Sequence, residues 1–172
     1  GSAVYGIEAT SITVEVNISP GTKYYIVGLP DNAVKESLQR IESAIITKGY
    51  RMPRQKIVVN LAPADIRKEG SAYDLAIAIG ILAASGQIPG DDLYKYIILG
   101  ELSLDGTIQP IKGALPIAVQ AKNDGFEGII LPSANAKEAA IVSQLRILPV
   151  DRLQEVVDFL HNELILVNNY CI

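Results

Sequence analysis

A short turn near the middle of the chain has the residue types and spacing of a nucleophilic active site. Gly70 and Ser71 close a charged loop, and an apolar helical pattern follows directly. A side chain just after the glycine would therefore lie at a helix N-terminus, where the dipole and the free N–H groups stabilise an oxyanion. A serine there becomes a nucleophile when a nearby lysine of lowered pKa takes its proton. The presence or absence of such a pair decides between an enzyme and a scaffold.

Length and composition set the bounds for this question. The chain has 172 residues, of which 49% are hydrophobic and 20% charged, as expected for one globular α/β domain. Its net charge of -4 gives no overall attraction to nucleic acid or to anionic membranes. Cys171 is the single cysteine, so no internal disulfide can form, and we expect a cytoplasmic location without membrane contact.

Hydrophobic periodicity in the first half predicts alternating strands and helices. Apolar residues alternate with polar ones from Ile12 to Ile18, which predicts a half-buried strand. Pro20-Gly21 then predicts a hairpin into a second strand over 24–29. A helix capped by Asp31 and ending at Gly49, a strand over 56–61 and an apolar helix over 72–84 follow.

The second half repeats this alternation. The predicted strands cover 96–102, 128–132 and 146–150, and Asp105-Gly106 predicts a hairpin turn. The predicted helices cover 112–123, a segment capped by Ser133, and an amphipathic segment that starts at Asp151. Since strands and helices interleave through short connections, the sequence predicts one mixed α/β domain.

Several long motifs occur in order along the chain. They are Ile26–Pro30, Asn60–Asp65, Lys68–Gly70, Leu75–Gly86, Leu99–Leu102 and Gly113–Pro116. Together they resemble the N-terminal domain of the magnesium-chelatase-like AAA+ ATPases, the group that includes the competence protein ComM. On this resemblance, residues 3–165 are the domain, 166–172 begin a linker to an ATPase module, and Gly1-Ser2 is an expression-tag scar.

The resemblance implies an α/β (α+β) fold like that of the proteolytic domain of Lon protease. Such a domain has two layers, a mixed sheet with helices mainly on one face. The sequence contains no Gly-x-x-x-x-Gly-Lys-Ser/Thr phosphate loop, so we expect no cofactor in this chain. ATP and magnesium would belong to the full-length protein. The expected partners are its own ATPase module, neighbouring subunits and, through the family's association with DNA processing, DNA.

Aligned with the peptidase motif, the chain lacks the catalytic pair. Ala72 falls at the serine position and Ile117 at the lysine position, while Asp74 places a negative charge where the oxyanion would form. Ser71 comes one residue early, which turns a helical side chain by about 100°. We therefore expect Ser71 to be a helix cap and the domain to hold no catalytic, cofactor or metal site. The alternative is a peptidase that uses a displaced Ser71, which requires a lysine nitrogen within about 3 Å of its hydroxyl.

A concentration of basic residues between positions 48 and 68 offers a binding hypothesis. The candidate interaction surface consists of Arg51, Arg54, Lys56, Arg67 and Lys68. It could contact DNA, a neighbouring subunit or another partner protein, or it could be a solvated edge whose charges are paired in the fold. The composition around it does not support sequence-specific readout, because few aromatic residues accompany the charges.

Overall fold

The computed structural model describes the backbone of residues 4–170 and the side chains of residues 6–163. The strands are β1 (Val4–Glu8), β2 (Thr13–Ser19), β3 (Tyr24–Val27), β4 (Lys56–Ala62), β5 (Tyr96–Ile98), β6 (Glu101–Leu102), β7 (Ile108–Gln109), β8 (Gly128–Pro132) and β9 (Arg146–Val150). The helices are α1 (Asn32–Lys35), α2 (Ser37–Thr47), α3 (Asp74–Ala84), α4 (Ala114–Asn123), α5 (Ala136–Ala139) and α6 (Leu153–Tyr170).

Seven strands form one mixed sheet in the order β3-β4-β2-β1-β5-β8-β9. β2 is antiparallel to both of its neighbours, whereas β3–β4, β1–β5, β5–β8 and β8–β9 are parallel pairs. β6 and β7 form a separate antiparallel hairpin around Asp105-Gly106, as the turn residues predicted. The predicted mixed α/β fold is confirmed.

The hairpin predicted at Pro20-Gly21 is wrong, although the turn exists. β4 lies between β2 and β3, so these two strands never pair with each other. The turn instead crosses the start of β4, and Gly21 permits this because a Cβ there would lie 2.7 Å from the Cβ of Lys56. Its φ of +144° also suits glycine alone. A turn signal in the sequence predicts that the chain reverses direction, but it does not predict which strand pairs with the strand before the turn.

Helix α3 is the centre of the core. All but the last residue of α3 are buried, which fits its uniformly apolar sequence. Gly80 lets the helix approach the sheet closely, because a Cβ there would lie 2.6 Å from Cγ2 of Val16 on β2. β2 and β4 alternate between buried and partly exposed residues, so this half of the sheet packs helices on one face. β5 and β8 are buried at every residue, so this part of the sheet is covered on both faces.

Several element boundaries differ from the prediction. The helix after Asp31 divides into α1 and α2 at Glu36, and the Asp31 carboxylate caps the first piece by accepting a 2.8 Å hydrogen bond from the N–H of Val34. Ser133 opens a 3₁₀ turn rather than capping a long helix. The last helix, α6, continues to Tyr170, past the boundary predicted at residue 165. Gly1 and Ser2 lie outside the described residues.

Candidate functional site

The turn before α3 is held by the backbone of Gly100, between β5 and β6. The N–H of Gly100 donates to the carbonyl of Ala72 at 3.0 Å, and the N–H of Leu75 donates to the carbonyl of Gly100 at 3.0 Å. A side chain at position 100 would not fit, because its Cβ would lie 2.8 Å from Cγ2 of Ile108. The turn is therefore fixed against the segment between β5 and β6, and α3 begins at Asp74, later than the predicted start at residue 72.

Ser71 in this turn is bonded to a carboxylate. Its hydroxyl donates a 2.5 Å hydrogen bond to Oε1 of Glu101 on β6. The prediction that Ser71 caps α3 is wrong, because Tyr73 precedes the helix and no side chain caps it. Glu101 was not singled out as a functional residue in the sequence, although it lies in one of the motifs that carry the resemblance.

A cavity of about 470 Å³ opens beside Ser71. Its walls are Glu69–Ala72, Glu101 and Pro110–Lys112. Lys112 thus lines the same cavity as Ser71, but among the side chains of residues 6–163 no lysine is hydrogen-bonded to the serine hydroxyl. Ile117, at the predicted lysine position, is partly buried on α4 and packs against the core.

Asp74 is a structural residue, fully buried at the start of α3. Its carboxylate accepts hydrogen bonds from Arg40 Nε at 2.7 Å and Arg40 Nη2 at 2.8 Å, from the Ser37 hydroxyl at 2.6 Å and from the N–H of Leu102 at 3.1 Å. The hydrogen bond to Asp74 is the main cause that raises the pKa of the Arg40 guanidinium. The charge that the sequence placed at the oxyanion position is therefore neutralised inside the fold, where it joins α2, α3 and β6.

Three of the predicted basic residues are exposed, and two of them share a cavity. Arg51, Arg54 and Lys56 are exposed in the loop before β4 and at its first residue. Arg51 and Arg54 line a cavity of about 690 Å³ with Tyr24 as a further wall. The Tyr24 hydroxyl donates to the carbonyl of Pro53 at 3.0 Å, and burial raises the pKa of its phenol.

Lys56 also contacts an aromatic ring. Its ammonium lies 5.7 Å from the centroid of the Tyr25 ring on β3, within the range of a cation–π interaction. Tyr25 is 42% exposed, so this pair sits at the surface. Because Tyr25 follows Tyr24 on β3, it points to the opposite face of the sheet from Tyr24, which lines the cavity with Arg51 and Arg54.

Arg67 lies at a different place from these three residues. Its side chain is 71% exposed and 3.5 Å from Glu69, an exposed ion pair of small energetic value. It lines a second cavity of about 450 Å³ together with Leu29 and Lys35. Lys35 was not predicted, because nothing in its local sequence separates it from an ordinary exposed helix residue.

Lys68 does not belong to the surface. Its side chain is completely buried, and its ammonium donates to the carbonyls of Gly28, at 2.7 Å, and Pro63. Its backbone bridges the same region, since its N–H donates to Leu29 and its carbonyl accepts from Asp31. The candidate interaction surface is therefore corrected to Arg51, Arg54 and Lys56, with Arg67 apart from them.

No group of three or more His, Cys, Asp or Glu side chains within residues 6–163 could hold a metal ion. His161 is exposed on α6 and contacts the carbonyl of Val157 at 2.9 Å. Within the described part of the chain, no helix is long and apolar enough to cross a membrane.

The mixed sheet, the turn held by Gly100 and the cavity beside Ser71 define an α/β domain. The family model for subunit ChlI of Mg-chelatase matches residues 14–135, and the chain belongs to this family.

Individual relatives agree with this assignment. The chain is 43% identical over 162 residues to the protein YifB of Salmonella typhimurium, and 39% identical over 162 residues to the competence protein ComM of Haemophilus influenzae. Both alignments cover 94% of this chain and 32% of the relative, so the chain spans about a third of these proteins. A more distant similarity, 32% identity over 127 residues, links 72% of the chain to 22% of Lon protease 2 of Bacillus subtilis.

Proposed function

We propose that this chain is the non-catalytic N-terminal domain of a magnesium-chelatase-related AAA+ ATPase and acts in assembly of that protein, in DNA contact, or in both. One observation supports it above the others: the Ser71 hydroxyl is bonded to Glu101 and not to a lysine. The resemblance adds that Ala72 and Ile117, which cannot act as nucleophile and base, fall at the dyad positions. A domain that keeps a peptidase cleft without the pair is suited to holding a partner.

The share of the relatives that this chain covers indicates which functions belong to the rest of the full-length protein. Because the chain spans 32% of YifB and ComM, we propose that ATP and magnesium are bound by the remaining part of the full-length protein. The partners would be that ATPase module and neighbouring subunits. A cytoplasmic location is part of the proposal and rests on the absence of a second cysteine in the sequence.

The DNA contact is proposed for Arg51, Arg54 and Lys56. All three residues are exposed within the short segment 51–56, and exposed cations bind phosphates irrespective of base sequence. The resemblance adds the family's association with competence and branch migration. A contact with a neighbouring subunit would use the same residues, because DNA and a second copy of this acidic chain both carry net negative charge.

The test is a salt-dependent titration of single-stranded and double-stranded DNA with the parent chain and with an Arg51→Glu/Arg54→Glu/Lys56→Glu variant. We expect the parent to bind with an affinity that falls with salt, and the variant to lose most of that binding. The matched control is Lys112→Glu/Lys122→Glu/Lys137→Glu, which also reverses three exposed charges and should bind as the parent does. Absence of binding by the parent, or equal binding by the triple variant, refutes the DNA contact.

The second candidate function is a serine peptidase of the Lon type that uses Ser71. The observation in its favour is that Lys112 lines the same cavity as Ser71. The hydrogen bond of the hydroxyl to Glu101 rather than to a lysine counts against it.

A further inference from the structure

The cavity of about 690 Å³ that Arg51 and Arg54 line lies between α2 and the loop before β4. Glu42 and Ile46 form its wall on α2, and Tyr24 forms a wall from β3. Small-molecule sites in proteins have volumes of about 300 to 1,000 Å³. The cavity is therefore large enough to receive a flat group such as a nucleobase.

The loop that carries the two arginines is held by side-chain hydrogen bonds near both of its ends. The N–H of Arg51 donates to Oε1 of Gln87 at 2.8 Å, and Nε2 of Gln87 donates to the carbonyl of Arg51 at 2.9 Å. The Tyr24 hydroxyl donates to the carbonyl of Pro53 at 3.0 Å. Arg51 and Arg54 are exposed, whereas the two residues between them are buried. The guanidinium groups thus extend from a fixed backbone, which lowers the entropic cost of binding a ligand.

Part of the cavity wall is apolar. Ile46 is 54% exposed near the end of α2, and Met52 belongs to the hydrophobic core below the loop. Tyr24 packs against the same core and lines the cavity. A phosphate gains nothing from such walls. A nucleobase, in contrast, packs its flat face on aromatic and aliphatic side chains and on guanidinium planes.

Three charged side chains line the cavity, Glu42, Arg51 and Arg54. Among the side chains of residues 6–163, none of the three takes part in a salt bridge. Glu42 and Arg54 both lie close enough to Tyr24 to act on its pKa. Burial is the largest cause that raises the pKa of this phenol, Glu42 raises it further, and Arg54 opposes the rise. A ligand of the cavity therefore meets two cations and one carboxylate.

This set of charges matches the parts of a nucleotide. Each arginine binds a phosphate through the fork of its guanidinium group. Glu42 would repel a phosphate inside the cavity, but its carboxylate accepts a hydrogen bond from the exocyclic amino group of cytosine, adenine or guanine. Thymine has no such group. An acidic peptide fits less well, because it would bring carboxylates to Glu42 and has no base to pack against Ile46.

We propose that this cavity holds one unstacked base of a single DNA strand, with Arg51 and Arg54 on the flanking phosphates and Glu42 on an exocyclic amino group of the base. The inference rests on the DNA contact proposed above and deepens it. A duplex keeps its bases paired and stacked, so it reaches the arginines alone. The surface thus selects single strands and favours cytosine over thymine. Lys56 has no part in the cavity, because it contacts Tyr25 on the other face of the sheet.

The test titrates the whole chain against fluorescein-labelled oligonucleotides of equal length at one salt concentration, followed by fluorescence anisotropy. The probes are oligodeoxycytidylate, oligodeoxythymidylate, an abasic strand with the same phosphates, and a duplex. We expect the cytidylate strand to bind about tenfold more tightly than the abasic strand and about threefold more tightly than the thymidylate strand. The duplex should bind more weakly than the cytidylate strand despite its higher charge density.

Two substitutions on α2 separate the base from the phosphates. Ile46→Gln replaces an exposed apolar wall by a polar side chain of similar size. It should weaken binding of the cytidylate strand about threefold and leave binding of the abasic strand unchanged. Glu42→Leu removes the carboxylate, so it should bind every strand more tightly but lose the preference for cytidylate over thymidylate. The matched control is Val119→Gln on α4, where Val119 is 44% exposed, and it should bind as the parent does.

Equal binding of the cytidylate and abasic strands by the parent would overturn the inference. The proposed DNA contact would stand if the Arg51→Glu/Arg54→Glu/Lys56→Glu variant then lost both. An unchanged preference for cytidylate in Glu42→Leu would overturn the inference as well. So would displacement of the cytidylate strand by polyglutamate at equal charge, since polyglutamate has no bases. No binding of any oligonucleotide by the parent would refute both the inference and the DNA contact.

Discussion

Arg40 of α2 grips the Asp74 carboxylate at the start of α3 through two guanidinium nitrogens, at 2.7 and 2.8 Å. The carboxylate side chain is 0% exposed and that of Arg40 is 20% exposed, so the pair is shielded from water. The bidentate geometry and the further bonds from Ser37 and Leu102 satisfy the buried charge. The position that would carry the oxyanion in a peptidase is here a structural junction.

Replacing Asp74 should therefore destabilise the fold strongly. Asp74→Asn leaves the Arg40 charge without its partner, and we expect a loss of about 3 to 5 kcal/mol in the free energy of unfolding. Chemical denaturation followed by circular dichroism measures it. The control is Glu36→Gln, whose side chain is 68% exposed and 3.8 Å from Arg40, and which should change stability by no more than about 0.5 kcal/mol. Equal effects of the two substitutions would contradict the structural role of Asp74.

Ser71, close to this junction, should not act as a nucleophile. Ser71 donates to Glu101 and shares its cavity with Glu69, so two carboxylates, against the single lysine Lys112, line the place where an oxyanion would form. We expect neither labelling by a fluorophosphonate probe nor cleavage of fluorescent casein. The control is the Ser71→Ala variant. Labelling of the parent that disappears in Ser71→Ala would establish the peptidase instead.

Gly28, just after β3, should tolerate no side chain. Its φ is +105°, and a Cβ would lie 2.2 Å from the carbonyl oxygen of Leu61. Gly49 has a similar φ of +87° but open space around it. We expect Gly49→Ala to cost about 1 to 2 kcal/mol from backbone strain alone, and Gly28→Ala to cost about 3 kcal/mol or more, since the backbone of β4 must move as well. Thermal unfolding compares the two, and a smaller effect at Gly28 would contradict the close approach.

Neighbouring cations in the loop before α3 should differ sharply in their effect on stability. Lys68→Ala removes a fully buried side chain and leaves the carbonyls of Gly28 and Pro63 without their donor. We expect a loss of about 2 to 4 kcal/mol in the free energy of unfolding. Arg67→Ala changes a side chain that is 71% exposed and should stay within about 0.5 kcal/mol. Denaturant titration of both variants measures the two losses of stability. Equal stabilities would contradict the buried position of Lys68.

The burial of Lys68 could not be predicted from the sequence. Its position in a run of charges predicted exposure, yet its partners are backbone carbonyls at positions 28 and 63, which no residue type reveals. Asp74 is a similar case, because its partner Arg40 lies on another helix. The sequence shows that a residue is charged. The groups that bind the charge come from segments that are distant in the chain and meet only in the folded structure.

Strand pairing was likewise predictable where the two strands are adjacent in the chain, and not where a distant strand comes between them. Asp105-Gly106 correctly predicted the β6–β7 hairpin, because both strands are adjacent in the chain and the turn alone determines their pairing. Pro20-Gly21 failed as a hairpin signal, because β4 arrives from later in the chain and inserts beside β2. Most strands and the apolar α3 were predictable from periodicity, since burial of alternate or of all residues is visible in the sequence. The strand predicted over 96–102 is wrong, because it divides at Leu99-Gly100 into β5 and β6, which belong to different sheets.

The parallel pairing of β1 with β5 has a consequence for synthesis on the ribosome. Glu8 is paired with Ile97, so the middle of the sheet cannot close until the chain has been made to that point and β5 has left the exit tunnel. Until then β1 can pair only with β2, and its other edge stays open to contacts with other nascent chains. Contacts of such long sequence separation also slow folding. A nascent chain halted before Tyr96 therefore keeps this edge of β1 open and can aggregate through it.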